Sequence, residues 1–506
     1  MDSKKGIKNV VTSIVFKILT IVLHLFAIRS IDFIGSSYLG YNSLFNSIID
    51  VISLTECGFA GGVAFCLYKA IVDKDENKII GLYSYLKKAY LVIFVLFVCL
   101  GLLILPNISI LNADLDNVIV VPPEIYFSYL MYILSAALIY LFGFKATTIS
   151  AYKNTYKREF AFSVGVIVQY SLQILFAYLT KSFVLCSISL VVGTLFQWLI
   201  ITLIFRKDHK ELLLKKNDLS SDEKKVVRTY IFSSFAHHLG DIILYSTDGI
   251  IISAFLGTVT LAGYYRYTSI ISAIFSVSTL LFTSLTSVVG HSFAKENKEK
   301  MVIYFKVFYC ANFIIGSILF AGFFGASDSF VAFFYGEANV ISYLTVLLLS
   351  SCYFLRFMQR TCLLFRDASG SFRNDWYKPI IESLLNLILD FVLVKVFGVN
   401  GVIIATIITL VLVSHVIEPL VLYKCSFGKR PIKYYLVNYS LAFLFVAELF
   451  VILFVKNMLF GKISFLLGFF VLGFASVIIA GMISIPLFVY ARASLKKVRD
   501  FKYENA

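Results

Sequence analysis

The chain has 506 residues, 59% of them hydrophobic and only 15% charged, with a mean hydropathy of +0.87 and a formal net charge of +15. No soluble globular protein of this length tolerates so much apolar surface, so the composition excludes a soluble enzyme or binding module and requires a polytopic membrane protein. The eight cysteines form no CxxC pair and have no histidine at metal spacing, which leaves them as reduced packing residues.

Apolar windows long enough to span a bilayer predict about fourteen transmembrane helices. In chain order they centre near Leu19, Val51, Val95, Leu134, Val168, Leu190, Ile243, Ile274, Phe313, Leu348, Leu387, Ile408, Val446 and Leu472. Lipid-facing backbone must satisfy its own hydrogen bonds, and strand-like alternation is absent, so the expected fold class is an all-α polytopic membrane protein. The first span lacks a small-residue cleavage site and is expected to persist as a helix.

The N-terminus, alternate loops and the C-terminal tail hold 36 of the 45 Lys and Arg residues. The intervening loops are assigned Arg29, Lys181, Lys395, Lys456 and Lys462, while Lys17, Arg266, Arg356 and Arg360 fall inside helices. This asymmetry predicts an even number of spans with both termini cytoplasmic. The net charge is therefore mainly an orientation signal. The basic loop "FRKDHKELLLKKNDLSSDEKKVVR" is expected to face lipid headgroups at the cytoplasmic surface, not nucleic acid.

The chain also repeats itself. "FIGSSYLGYNSLFNSIID" with "VDKDENKII" is echoed by "FLGTVTLAGYYRYTSIIS" with "AKENKEKMV", so that Gly35 answers Gly257, Tyr41 answers Tyr264 and Glu76 answers Glu296. The expected organisation is an N-terminal six-helix bundle (1–206), a cytoplasmic linker (207–228), a C-terminal six-helix bundle (229–424), and two appended helices with a basic tail (425–506). Two parallel six-helix repeats form lobes around a central cavity, the architecture of a transporter.

Polar groups inside the expected spans mark its lining. The eighth span carries Arg266 with Thr268, Ser269, Ser272, Ser276, Thr279 and Thr283 at steps of mostly three and four, and the second carries Ser43, Asn46, Ser47, Asp50 and Ser53. Single hydroxyls of this kind can be helix-helix contacts or bond back to their own backbone. Intramembrane charges are costly and default to a cavity. Arg356 and Arg360 sit i, i+4 and present two guanidinium forks suited to a phosphate or carboxylate; the alternative is that they snorkel to headgroups. Candidate substrate-binding residues are thus Arg266, Arg356, Arg360, Lys17, Arg29, Asn46, Asp50, Ser269, Ser272 and His237, the last beside His238 in the seventh span. The carboxylates Asp241, Asp248, Glu382 and Asp390 lie in apolar surroundings. Asn386 and Asp390 share a helix face, with Thr406 on the next span, and such hard oxygens suit Na⁺ or H⁺ coupling. For Glu382 and Asp241, protonation or pairing to a neighbouring helix fits equally. No GxxxxGK[ST], HExxH or nucleophile elbow is present, so neither bound ATP nor a soluble-enzyme reaction is indicated.

Fourteen spans, "FLGTVTLAGYYRY", its weaker copy "FIGSSYLGYN" and the polar second span of each half resemble the Wzx-type polysaccharide repeat-unit flippases of the multidrug/oligosaccharidyl-lipid/polysaccharide exporter superfamily. That resemblance implies movement of undecaprenyl-diphosphate-linked oligosaccharide from the inner to the outer leaflet of a bacterial cytoplasmic membrane, by cation-coupled alternating access, for O-antigen or capsule assembly. Its implied partners are the lipid-linked oligosaccharide, membrane lipids, and a polysaccharide polymerase with its chain-length regulator; no cofactor beyond Na⁺ or H⁺ is implied. "STDGIIISAFL" is similar to a segment of the lipid II flippase branch, which has a sodium site, and this places Asp248, Asn386, Asp390, Thr406 and the carbonyl of Val402 as Na⁺ ligands. Asp50 stands in the second span where that branch has arginine. The alternatives are a lipid II flippase, a cation-coupled multidrug exporter, or, in a different class, a membrane-embedded glycosyltransferase or polymerase. The last would require a large catalytic loop.

Overall fold

The structure, a computed structural model, describes residues 3–503 except 57, 116–120, 153, 216, 460 and 461; the side chains of His237, His238, Asp241, Thr283 and Arg373 also lie outside the described residues. The chain opens with α1 (Ser3–Ile34), α2 (Ser36–Ile52), α3 (Phe59–Val72), α4 (Glu76–Ile104), α5 (Pro123–Ala151), α6 (Thr155–Thr180) and α7 (Phe183–Asp208). A short α8 (Lys210–Leu214) leads to α9 (Ser221–Leu256), α10 (Thr258–Lys295), α11 (Lys298–Tyr335), α12 (Tyr343–Ala368), α13 (Lys378–Phe397), α14 (Val399–Thr409) and α15 (His415–Leu422). Then come α16 (Ile432–Leu459) and α17 (Phe465–Tyr503). Every one of the expected span centres falls on a helix. Among the described residues, eight helices are long and apolar enough to cross a membrane by length and composition, and α12, with three arginines, is among those that fall outside that test.

Local sequence sets the boundaries. Asp75 caps α4 by accepting from the Lys78 amide at 3.0 Å, Asn297 caps α11 through the Lys300 amide at 2.9 Å, and Ser220 with Glu223 closes a capping box on α9. Two glycines break the chain between helices, Gly35 between α1 and α2 and Gly257 between α9 and α10. Gly257 has φ +86°, a conformation that a side chain would strain.

The chain divides into two compact units, Met1–Ala262 and Gly263–Ala506. In the first, α6 packs on α1 and α7, α7 also on α5, and α2 and α3 on α9. The α6–α7 contact is nearly backbone on backbone: a Cβ on Gly165 would meet the Gly193 carbonyl oxygen at 2.6 Å, and one on Gly193 would meet the Gly165 oxygen at 2.7 Å. The expected linker is pinned to the first half of α4, with Lys88 Nζ 2.8 Å from Asp218, Lys215 Nζ 3.3 Å from Glu76, and Asn217 Nδ2 donating to the Asn77 carbonyl at 2.9 Å.

In the second unit α11 packs most extensively on α17, and also on α12 and α16; α14 packs on α12 and α13. Aromatic rings fill the joins: Phe354 and Phe445 stack with centroids 3.8 Å apart, and Phe305 touches Phe365, Tyr423, Phe427 and Tyr434. The span expected at Ile408 is irregular, passing through π-turns at Leu410–Ser414 and Tyr423–Phe427 on either side of α15, which contains Pro419. Proline removes an amide donor, and wide turns of this sort cluster at functional places.

Candidate functional site

The guanidiniums of α10 and α12 lie inside the second unit. Arg266 is 3% exposed and Arg356 5%, while Arg360 is half-buried. Each is set against an aromatic face: Arg356 lies 5.2 Å from the Tyr353 ring centroid, Arg360 5.0 Å from Phe275 and Arg266 6.0 Å from Tyr335. Tyr353 is itself held by Ser272, whose hydroxyl is 2.6 Å from the tyrosine oxygen. The rest of the hydroxyl stripe is more local. Thr268 donates to the Tyr264 carbonyl at 3.1 Å, Ser269 to Arg266 at 2.9 Å and Thr279 to Ser276 at 3.0 Å. Those three hydroxyls satisfy themselves on their own helix, and Ser272 alone of the four reaches across.

In the first unit Lys17 is exposed on α1 and Arg29 half-buried. Asn46 and Asp50 are exposed on α2; Asn46 Nδ2 donates to the Asn42 carbonyl at 2.8 Å, and Asp50 accepts from Ser246 at 3.2 Å. His237, with His238 and Asp241, lies outside the described side chains. Asp248 is buried near the end of α9. The same unit has a cleft of about 410 Å³ at its inter-helix turns, lined by Tyr38, Tyr41, Asn112, Asp114, Glu124 and Thr258 among others. Asp114 there accepts from the hydroxyl of Thr258 at 2.8 Å and the amide of Val259 at 3.1 Å, capping α10 from a distant loop.

The oxygen-bearing residues of α13 and α14 converge within the second unit. Asn386 and Asp390 are fully buried, Asn386 Nδ2 donates to Thr406 Oγ1 at 3.4 Å, and Thr406 donates to the Val402 carbonyl at 3.2 Å. Asn386 Oδ1 is buried and accepts no hydrogen bond among the described residues. A buried neutral oxygen that accepts from no described donor, beside a hydroxyl and a carbonyl and one turn from a carboxylate, is a donor set that fits Na⁺.

Two ionic groups went unread in the sequence. Lys456, expected in a loop, instead sits buried in α16 with Nζ 2.6 Å from Asp328 of α11 and 3.0 Å from the Phe324 carbonyl, while Tyr267 donates to the other oxygen of Asp328 at 2.9 Å. The reason is desolvation: an ammonium in that apolar setting is tolerable only with a carboxylate beside it. Lys378 and Arg366, counted as cytoplasmic loop cations, are likewise buried. Lys378 Nζ is 2.6 Å from Glu382 and 2.8 Å from Glu418, and Arg366 Nη1 is 2.6 Å from Asp375. Glu382 is thus paired to a cation of its own helix, not to one from a neighbouring helix. The available signal was a lone acid, Asp328 in "GASDSFVAFF", and a lone base, Lys456 in "LFVKNML", each in an otherwise apolar run.

No protein-family model matches the chain, and no curated protein matches it. Solved structures do. It is similar to the lipid II flippase MurJ in an inward closed conformation, at 16% identity and a TM-score of 0.67, over 94% of this chain and 99% of that one. It is similar to a multidrug resistance MATE family transporter of the MOP superfamily in its inward-facing conformation, at 14% identity and a TM-score of 0.65, over 85% of this chain and 98% of that one. An outward-facing conformation of such a transporter gives 14% identity and a TM-score of 0.55, over 88% and 96%. The chain therefore has the all-helical fold of these membrane transporters.

Proposed function

We propose that this protein is a flippase for lipid-linked oligosaccharide, carrying an undecaprenyl-diphosphate-linked repeat unit between leaflets for O-antigen or capsule assembly. The observation that carries the reading is the set of three guanidiniums on α10 and α12, two of them buried within the second unit and each backed by an aromatic ring. Bidentate guanidiniums recognise phosphate, and tyrosine and phenylalanine faces stack on sugar or isoprenoid. A cationic drug would be repelled by such a site, which disfavours a multidrug exporter. A lipid II flippase is the second reading. It is supported by the coverage of MurJ, which takes in 94% of the chain, and weakened by Asp50 on α2.

Coupling would use the α13–α14 oxygens. Asn386, Asp390, Thr406 and the Val402 carbonyl would hold Na⁺; the ion would supply the charge that links an inward gradient to the transport cycle. A polymerase and chain-length regulator would take the product. The test is complementation of a flippase-deficient strain with Arg266→Ala, Arg356→Ala and Arg360→Ala variants, reading surface polysaccharide and protein level together. Loss of polysaccharide at normal protein level is expected. Normal polysaccharide in all three would overturn the reading.

A further inference from the structure

A second charged centre lies where α12, α13 and α15 meet, apart from the guanidinium face and the α13–α14 oxygens. Five ionisable side chains are withdrawn there from solvent: Arg366 and Lys378, each 9% exposed, Glu382 at 5%, and Asp375 and Glu418 at 0%. Lys378 Nζ bridges Glu382 Oε2 and Glu418 Oε1, and Arg366 Nη1 pairs with Asp375 Oδ2 and stands 4.0 Å from Glu418 Oε1. Asp367 also meets Arg366 at 2.9 Å, but its side chain is 47% exposed and water holds its charge.

Charge counting then decides. Three buried carboxylates face two buried cations, so among the described residues one negative charge is in excess. An unbalanced buried charge is not sustained; the group takes up a proton or a cation. Among the described residues the remaining groups that face the pair are neutral donors, the buried Cys362 thiol and one imidazole: Gln359 Nε2 donates to Glu418 Oε1 at 2.7 Å, Ser414 donates to Glu382 Oε1, and His415 of α15 places Nε2 3.1 Å from the Leu355 carbonyl with Asn438 of α16 beside its ring. Glu418 Oε2 and Asp375 Oδ1 are buried with no hydrogen-bond partner among the described residues. The ammonium wedged between the two glutamates repels any added metal ion, and among the described residues no group of His, Cys, Asp or Glu is arranged to hold one.

We propose that the Glu382–Glu418 pair bridged by Lys378 binds one exchangeable proton, making this junction a proton site separate from the Asn386–Thr406 oxygens. Two carboxylates sharing one environment take a proton as a pair, not as individuals. The step is a simple equilibrium: one O–H bond forms on a glutamate oxygen, and the proton comes from and returns to bulk water.

Infrared difference spectra of the full chain in lipid nanodiscs, titrated from acid to alkali without substrate, test this. The wild type is expected to lose a protonated-carboxyl C=O band on alkalinisation, and Glu448→Gln, which removes the separate buried carboxyl of α16, should lose the same band on alkalinisation. Glu382→Gln and Glu418→Gln each leave the buried charge balanced without a proton, so both should fold normally and lack that band, and His415→Asn should keep it. Should Glu382→Gln or Glu418→Gln fail to fold, the other still reads the proton. A wild type with no such band, a band missing from Glu448→Gln, a band kept in both Glu382→Gln and Glu418→Gln, loss of the band in His415→Asn alone, or misfolding of both Glu382→Gln and Glu418→Gln would each overturn the proposal. Because no substrate is present, the result stands apart from the flippase reading.

Discussion

Replacing Lys456 with methionine should destabilise the protein far more than a change to a lysine ordinarily does. The ammonium lies 2.6 Å from Asp328 Oδ2, and the two side chains are 4% and 6% exposed. Removing it strands a buried carboxylate, which costs about 3–5 kcal/mol, and Asp328→Leu strands the ammonium at a similar cost. The double variant Lys456→Met/Asp328→Leu removes both charges and fills the space with apolar atoms, an exchange that is often close to neutral. What remains is the loss of partners by Tyr267, which donates to Asp328 at 2.9 Å, and by the Phe324 carbonyl, which accepts from Lys456 at 3.0 Å. Those orphaned groups should hold the double variant about 1–3 kcal/mol below wild type. The four proteins form a double-mutant cycle, with a coupling energy of several kcal/mol expected. Reversible denaturation in mixed micelles, followed by tryptophan fluorescence and by migration on size exclusion, supplies the numbers. A cost under about 1 kcal/mol for the single variants, or a double variant as unstable as the singles combined, would refute the reasoning that charge isolation governs this site.

Two other outcomes follow from the geometry. Na⁺ should raise the melting temperature of the purified protein where K⁺ does not, since a ligand bound only by the folded state at 100 times its Kd adds about 2.7 kcal/mol; Asp390→Asn should remove the difference, and equal melting in the two salts would dismiss the α13–α14 site. Gly165→Leu should destabilise the first unit by about 1–3 kcal/mol through overpacking, because even the first carbon of a side chain meets the Gly193 oxygen at 2.6 Å. A melting curve like that of wild type would show that α6 and α7 separate more freely than their spacing implies.

What could be read from the sequence was what hydropathy and periodicity encode. Each expected span is a helix because lipid leaves the backbone no other way to satisfy itself, and Gly35 in "FIGSSYLGYN" and Gly257 in "FLGTVTLAGYY" each separate two helices. Asn386 and Thr406 come together as their spacing suggested, since i, i+4 positions on one helix and a partner on the next need no long-range information. Pairings between distant helices were not legible. Nothing in the neighbourhood of Lys456 names Asp328, 128 positions earlier, and a loop count that treats each cation as solvated assigns it to a turn.

That failure has a common physical root with the buried junction at α12, α13 and α15. Positive-inside counting assumes that a lysine or arginine near a span end interacts with headgroups or water, yet Arg366 and Lys378 are held by carboxylates that themselves sit within or beside apolar segments. The informative sequence feature is therefore the intramembrane acid, not the cation. An aspartate or glutamate deep in a span must be protonated, metal-bound or paired, and Asp328 and Glu418 each identify a place where a basic residue from another helix arrives, while Glu382 meets Lys378 one turn earlier on its own helix. Glu448 extends the argument. It is 1% exposed on α16 and accepts from Ser317 at 2.7 Å, and its other oxygen has no hydrogen-bond partner among the described residues. With a hydroxyl and, among the described residues, no cation bonded to it, Glu448 belongs to the protonated class, so Glu448→Gln should be nearly isosteric and isoelectronic with the native state and leave folding intact, in contrast to the loss expected at Lys456.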